Sequence, residues 1–192
     1  RTRMPGREDD LVLKLGFGEG KAIACWGRNN WVDGETFRSP DPRQTEGEIY
    51  LDMPVFHQGQ TIQGIYLKFE NGVIIDYSAM QGFEALRSII GTDAGSRRLG
   101  EGALGMHPGL KKVLKNPLYV EKVGGTAHIA IGVSYEECYN DPDAAKASGE
   151  FNDSAQHVDL VCDFRPGGAG VSIHLDDTKL AVWNGIWVIP AA

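Results

Sequence analysis

The chain reads as an α+β protein, a single domain of mostly mixed or antiparallel β-sheet with one major helix. Three features predict this. Glycine is abundant, 25 of 192 residues, which marks many turns. Short apolar segments that alternate with polar residues recur between those turns, the period-two signature of strands. Residues 79–92 instead carry Met80, Phe83, Leu86, Ile89 and Ile90 at helical spacing.

In chain order, residues 11–15 and 21–26 read as strands of a hairpin around Gly16-Phe-Gly-Glu-Gly20. Upstream glycines and Gly20-Lys21 hint at a phosphate loop. The G-x-x-x-x-G-K-[ST] spacing is absent, however, and Ala22 follows the lysine. Residues 47–52 alternate as a strand. So do 61–69 and 72–77, joined by Glu70-Asn71-Gly72, a strong hairpin signal. For the helix over 79–92, Ser78 is the expected N-cap and Gly91 the stop. A shorter helix is predicted over 109–115, ending before Pro117. Strands are expected at 118–122, 126–131, 157–163, 170–174, 179–183 and 186–189. The polar stretch 139–153 reads as an exposed loop with a helical turn at 142–148. There is no internal repeat and no linker, so one domain is expected.

Apolar residues make up 42% and charged residues 23%, both near globular averages. The net charge of −7 disfavours nucleic acid and anionic membranes as partners. No apolar run approaches the ~20 residues that span a bilayer. The start, Arg1-Thr-Arg-Met-Pro5, has no signal-peptide apolar region, and the absence of an initial Met leaves a fragment and an engineered start both open. Cys25, Cys138 and Cys162 are odd in number, far apart and outside any C-x-x-C motif. Free thiols in a reducing, cytoplasmic compartment are expected.

The chemistry-bearing residues are Glu35, Glu101, His128 and the pair His157-x-Asp159. Carboxylate oxygen and imidazole nitrogen are ligands for divalent ions. Five such residues can serve two ions, so a metal-dependent hydrolase is the first reading. Residues i and i+2 of a strand share a face. His157 and Asp159 would therefore stand side by side, with Val158 and Leu160 on the packed side. Glu101 lies among small residues in Leu99-Gly-Glu-Gly-Ala-Leu-Gly105, where backbone and metal can approach closely. His128 is the polar residue of an apolar strand, Gly124-Gly-Thr-Ala-His-Ile-Ala-Ile-Gly132. An isolated core histidine fits that context equally well. Glu35 follows Asp33-Gly34, a turn opening a loop.

These residues fall in a series of motifs: Gly34-Glu-x-Phe-x-Ser-Pro40, Thr45-Glu-Gly47, Gly100-Glu-x-Ala-Leu-Gly105, Gly125-Thr-x-His-Ile-Ala-x-Gly132, Tyr135 and Ser154-x-x-His-x-Asp-Leu160. In that order they resemble the thermophilic aminopeptidase family, the aminopeptidase T and S group of dinuclear metallo-exopeptidases. The similarity runs from about Asp10 to Pro190.

The resemblance implies a metallo-aminopeptidase with two divalent ions of zinc, cobalt or manganese, acting on peptide substrates. It implies Glu35, Glu101, His128, His157 and Asp159 as metal ligands, with Glu101 the bridging carboxylate. It implies Tyr135, seven residues beyond His128, as a donor to the developing oxyanion; a packed core tyrosine is the alternative. Glu121 lies where the family has an acidic residue, as a general base or a group supporting the ligands. Two departures are Val158, where many members have tryptophan, and Met106-His107-Pro108, where a polar Asn segment is usual. These put substrate preference in question and bring His107 near the site. Family members are two-domain chains of about twice this length, and the whole of residues 1–192 resembles their C-terminal, metal-binding domain. The N-terminal domain, which helps enclose the site and the dimer, has no counterpart in the resemblance, so a fragment and a naturally short protein both stay open; a homo-oligomer is left open as well. A metal-binding domain without catalysis and an interaction module are the competing readings.

Overall fold

The computed structural model describes residues 1–189. Pro190, the last residue of the resemblance, lies outside them. The first strands are β1 (Leu13–Leu15), β2 (Ile23–Cys25), β3 (Glu35–Arg38), β4 (Thr45–Leu51), β5 (Val55–His57), β6 (Gln60–Glu70) and β7 (Val73–Gln81). Helix α1 (Phe83–Ile90) precedes β8 (Leu99–Gly105), and α2 (Pro117–Val120) precedes β9 (Thr126–Gly132). Helix α3 (Pro142–Ser148) leads to β10 (His157–Asp163). Then come β11 (Ile173–Leu175), β12 (Thr178–Trp183) and β13 (Ile186–Val188).

Two five-stranded sheets carry the fold. One is ordered β1-β4-β6-β5, with β7 also on β6; the other is ordered β10-β9-β8-β3-β2. A small sheet, β11-β12-β13, follows. The strand pairs of all three are antiparallel. The main core lies between the large sheets and α1. Ile65, Leu67 and Ile74 come from the first sheet, Leu86 and Ile89 from α1, and Leu99, Ile129, Ile131, Val158 and Leu160 from the second. The α+β class with one principal helix is as expected.

The Asn71-Gly72 hairpin forms as read. Glu70 pairs with Val73, and both turn residues have positive φ, 50° and 77°, which Asn and Gly tolerate. The turn at 142–148 is the full helix α3, and 157–163 is the full strand β10.

Other expectations fail for identifiable reasons. The helix expected at 79–92 begins only at Phe83. Pairing with β6 extends β7 through Gln81 and leaves Met80 exposed. Gly82, at φ 75°, then turns the chain and is the N-cap in place of Ser78; Gly91 is the C-cap as expected. The segments 11–15 and 21–26 form no hairpin, because β1 pairs with β4 and β2 with β3. The helix expected at 109–115 is absent. Asn116 instead caps α2, accepting the Leu118 N–H at 3.1 Å, and Pro117 occupies the first turn. That cap also overrides the strand expected at 118–122, since a short apolar run fits either conformation. Glu35 opens strand β3 rather than a loop.

Candidate metal centre

The second sheet brings the five candidate ligands to one face through its register. In antiparallel pairs, directly opposed residues project the same way. Asp159 opposes Ala130, and Ala130 opposes Glu101. His128 lies between Val161 and Ala103, and Ala103 opposes Phe37. Glu35 opposes Gly105 on one side and Cys25 on the other. His157 opposes Gly132. Small residues at Gly105, Ala103, Ala130 and Gly132 thus separate the large donors and leave open space above the sheet. The reverse face, with Val158, Leu160, Ile129 and Ile131, is sealed into the core.

One irregularity makes this alignment work. Leu99 opposes Ile131, yet Glu101 opposes Ala130, so the register shifts at Gly100. Without that bulge Leu99 and Glu101 would share a face. With it, Leu99 enters the core while Glu101 faces the site. Gly100 is required there, since a Cβ would meet Val133 O at 2.1 Å and Gly132 O at 2.3 Å.

The donors converge in two groups. Glu35, Glu101 and His128 offer ligand atoms all within 4.8 Å of one another, as do Glu101, His157 and Asp159. Glu101 belongs to both. Its Oε1 is 3.4 Å from His128 Nε2 and its Oε2 is 3.1 Å from His157 Nε2. His128 Nε2 is 3.6 Å from Glu35 Oε2, and His157 Nε2 is 3.6 Å from Asp159 Oδ1. His157 Nδ1 lies 2.8 Å from the Val133 carbonyl, which can only accept, so Nδ1 carries the proton and donates. That contact fixes the ring and turns Nε2 toward the acids, the orientation of a metal-ligating histidine.

A cleft of about 340 Å³ opens over this face. Glu35, Glu101, His128, Asp159, Glu121 and Tyr135 line it, with Phe37, Pro117, Leu118 and Cys25 as its less polar wall. Tyr135 is part-exposed rather than core. Its ring is 4.7 Å from that of His157 and 5.1 Å from that of Phe37, and its backbone N–H donates to Ser39 Oγ. Glu121 comes from the C-cap of α2. His107 packs behind Gly34, and its Nδ1 accepts the Gly109 and Leu110 amides. It is a loop brace and does not line the cleft.

Burial raises the Glu35 carboxyl above its usual range, although His128 and Lys122 oppose this. Burial, with the charge and hydrogen bond of Asp159, pushes Glu121 up to about 8. For Glu101, burial is outweighed by hydrogen bonds from His128 and His157, which hold it below its usual value. For Asp159, burial is outweighed chiefly by His157, and its carboxyl is held low. Burial would lower both histidines. Glu101 nevertheless raises His128 to about 9, and Asp159 with Glu101 raises His157 to about 10. Burial followed by the nearby carboxylates keeps Tyr135 protonated far above its ordinary value, hence a hydrogen-bond donor. Four carboxylates share a buried space with two histidines and one lysine. Such crowding is costly without cations, and its oxygen and nitrogen donors suit borderline divalent ions. The residue set fits two such ions.

The sequence reading missed Lys122, whose side chain is 0% exposed and reaches Glu35 Oε1 at 3.0 Å and Glu121. Its signal was a charged pair, Glu121-Lys122, between Val120 and Val123. Asp33 was also passed over. It stands near Cys25 and Glu35, but its oxygens accept the Gly27, Arg28, Asn29 and Gly34 amides. Those bonds commit it to shaping the loop. A second cavity of about 340 Å³, lined by Phe164, Leu180, Val182 and Trp187, gathers no comparable donor set.

The chain is similar in sequence and fold to known proteins. The thermophilic metalloprotease (M29) family profile matches residues 21–171. The chain is 33% identical over 173 residues to aminopeptidase T of Thermus thermophilus, covering 81% of this chain and 41% of that one. It is 34% identical over 137 residues to aminopeptidase 2 of Geobacillus stearothermophilus, covering 66% and 32%. A solved structure, wild-type AmpT from Thermus thermophilus, superposes with a TM-score of 0.67 at 30% identity, over 94% of this chain and 47% of that one. The chain therefore spans between about a third and a half of the length of these relatives.

Proposed function

The chain belongs to the thermophilic metalloprotease (M29) family, and from that membership we propose that it is the metal-binding catalytic domain of a metallo-aminopeptidase. Its reaction is removal of N-terminal residues from peptides. The observation that carries this reading is the pair of donor groups sharing Glu101. Glu35, Glu101 and His128 would hold one divalent ion, and Glu101, His157 and Asp159 the other, with Glu101 as the bridge. Zinc, cobalt and manganese suit this donor set. Such ions polarise a carbonyl and lower the pKa of bound water.

The chain's own residues supply the rest. Glu121 lines the cleft beside Asp159, and its raised pKa suits a group that takes a proton from water and returns it to the leaving amine. Tyr135 keeps its phenolic proton and can donate to the oxyanion. Phe37, Pro117 and Leu118 offer apolar surface to the substrate side chain and help exclude water. A reducing, cytoplasmic setting is consistent with three buried free thiols.

A second reading is a metal-binding or interaction module without turnover. The chain spans 41% of the length of aminopeptidase T. Turnover of amino-acid p-nitroanilides with added Co²⁺, Mn²⁺ or Zn²⁺, alongside metal analysis after dialysis, separates the readings. Ions with turnover support the enzyme, and ions without turnover favour the module. Absence of bound ions under any loading condition sinks both metal readings.

A further inference from the structure

Lys122 is a fully buried ammonium in a site otherwise crowded with carboxylates. Such a charge is tolerated inside a protein only when paired. Its Nζ donates to Glu35 Oε1 at 3.0 Å and to Glu121. Glu35 is thereby divided, with Oε1 on the lysine and Oε2 turned toward His128 Nε2. The backbone holds the lysine in place. The His107 N–H donates to Lys122 O at 3.0 Å, and the neighbouring Met106 N–H donates to Gly34 O at 2.9 Å. One short segment thus bridges Lys122 and the start of β3, where Glu35 sits. The pairing is one-sided, since the two lysine contacts fall on Glu35 and Glu121 and neither on Glu101, His157 or Asp159.

Resting on the two-ion reading above, we propose that Lys122 is a positioning residue that holds Glu35 as a one-oxygen ligand of one ion and ties Glu121 beside it. A carboxylate with both oxygens free can swing to chelate an ion or turn away, and an outer hydrogen-bond donor removes that freedom. The consequence falls on the ion shared by Glu35, Glu101 and His128, leaving the other nearly unaffected.

The test is calorimetric titration of the metal-free full chain with Zn²⁺, in wild type, Lys122→Met, Glu35→Gln and the double variant. Lys122→Met is expected to weaken one ion by about 10–100-fold and leave the other unchanged. Because the lysine acts through Glu35, the double variant should bind no worse than Glu35→Gln alone. The proposal is overturned if Lys122→Met binds both ions at wild-type affinity, weakens both equally, or adds its full effect to that of Glu35→Gln. Wild type that takes up no ion removes the two-ion reading itself. A structure of zinc-loaded wild type gives an answer that needs no variant to fold. One Glu35 oxygen on the ion and the other on Lys122 Nζ supports the proposal; both oxygens on the ion, or a lysine turned away, overturns it.

Discussion

Glu101 faces His128 with one carboxylate oxygen and His157 with the other, so a change there reaches both halves of the site. Glu101→Gln keeps the shape but removes the charge and one good ligand oxygen. It should lower occupancy of both ions and keep the fold, at some cost in metal-free stability, since the ionised carboxylate is held by both histidines. Val158 points the other way, into the core. Val158→Ala should cost about 1–2 kcal/mol of packing and spare the ions. Elemental analysis and melting curves on the two variants decide; wild-type binding of two ions by Glu101→Gln would remove it from the bridging position. The histidines bring a pH signature to the metal-free protein. Their folded pKa values, about 9 for His128 and about 10 for His157, exceed the unfolded value. Their stabilisation is therefore complete below about pH 6.5 and is lost as pH rises through those folded values. Glu121, held up to about 8, acts in the same direction, because it must ionise beside Asp159 as pH rises. The lowered carboxyls Glu101 and Asp159 act oppositely, losing their contribution as pH falls through their depressed values. The metal-free melting temperature should thus fall between about pH 6.5 and 10, while ion affinity rises as ligands lose protons. A melting profile flat over that window would contradict the assigned contacts.

Strand β8 delivers Glu101 only because its register slips at Gly100. Gly100→Ala would drive a methyl into two carbonyl oxygens. Relieving that clash costs about 1–3 kcal/mol and threatens the bulge, so Leu99 and Glu101 could no longer face opposite sides. Loss of ion binding together with a lower melting temperature is expected. Unchanged ion affinity in a folded Gly100→Ala protein would show that the bulge does not aim Glu101. Helix α2 has a separate duty. Asn116 caps it, and Glu121 closes it. Asn116→Ala should cost about 1 kcal/mol and disturb Glu121 while leaving the ligands on the sheet. Turnover should drop with ion content kept; equal loss of both would mean that α2 supports the ligands as well.

The five proposed ligands come from four neighbouring strands of one sheet, whose other face is the main core. Ion binding, if these residues hold the ions as proposed, should therefore be linked to folding across the molecule. Each ion that binds the folded form alone adds about 2.7 kcal/mol at a free concentration of 100 times its dissociation constant. Saturating Zn²⁺ should raise the melting temperature, and a chelator should reverse the rise. No shift in thermal melting with any of Zn²⁺, Co²⁺ or Mn²⁺ would argue against a site built into the fold. Because all five proposed ligands lie within this chain, uptake of ions is expected not to require the additional length present in the relatives.

Much was legible in the residues themselves. Alternation over 157–163 placed His157 and Asp159 on one face and Val158 and Leu160 on the other, since period two is a local property of the strand. Asn71-Gly72 dictated its own hairpin through backbone preferences carried by those two residues. The ligand types and their motifs pointed to the site, because a metal demands particular donor atoms. What local pattern could not decide was pairing. The segments 11–15 and 21–26 read as a hairpin, yet their strands β1 and β2 belong to different sheets, since a strand's partner is set by which faces can be buried together. The helix at 79–92 lost its first residues to β7, where ladder bonds with β6 outweighed helical spacing. Glu101 faces the site only through a register slip against β9. Lys122, beside Glu121 in sequence, became part of the site only when the segment 106–123 folded it against Glu35. Sequence determined the donor types and, where alternation or turn residues were strong, as at 157–163 and 71–72, the local element. Tertiary packing decided registers, partners and buried charge pairs, because those energies exist only between segments far apart in the chain.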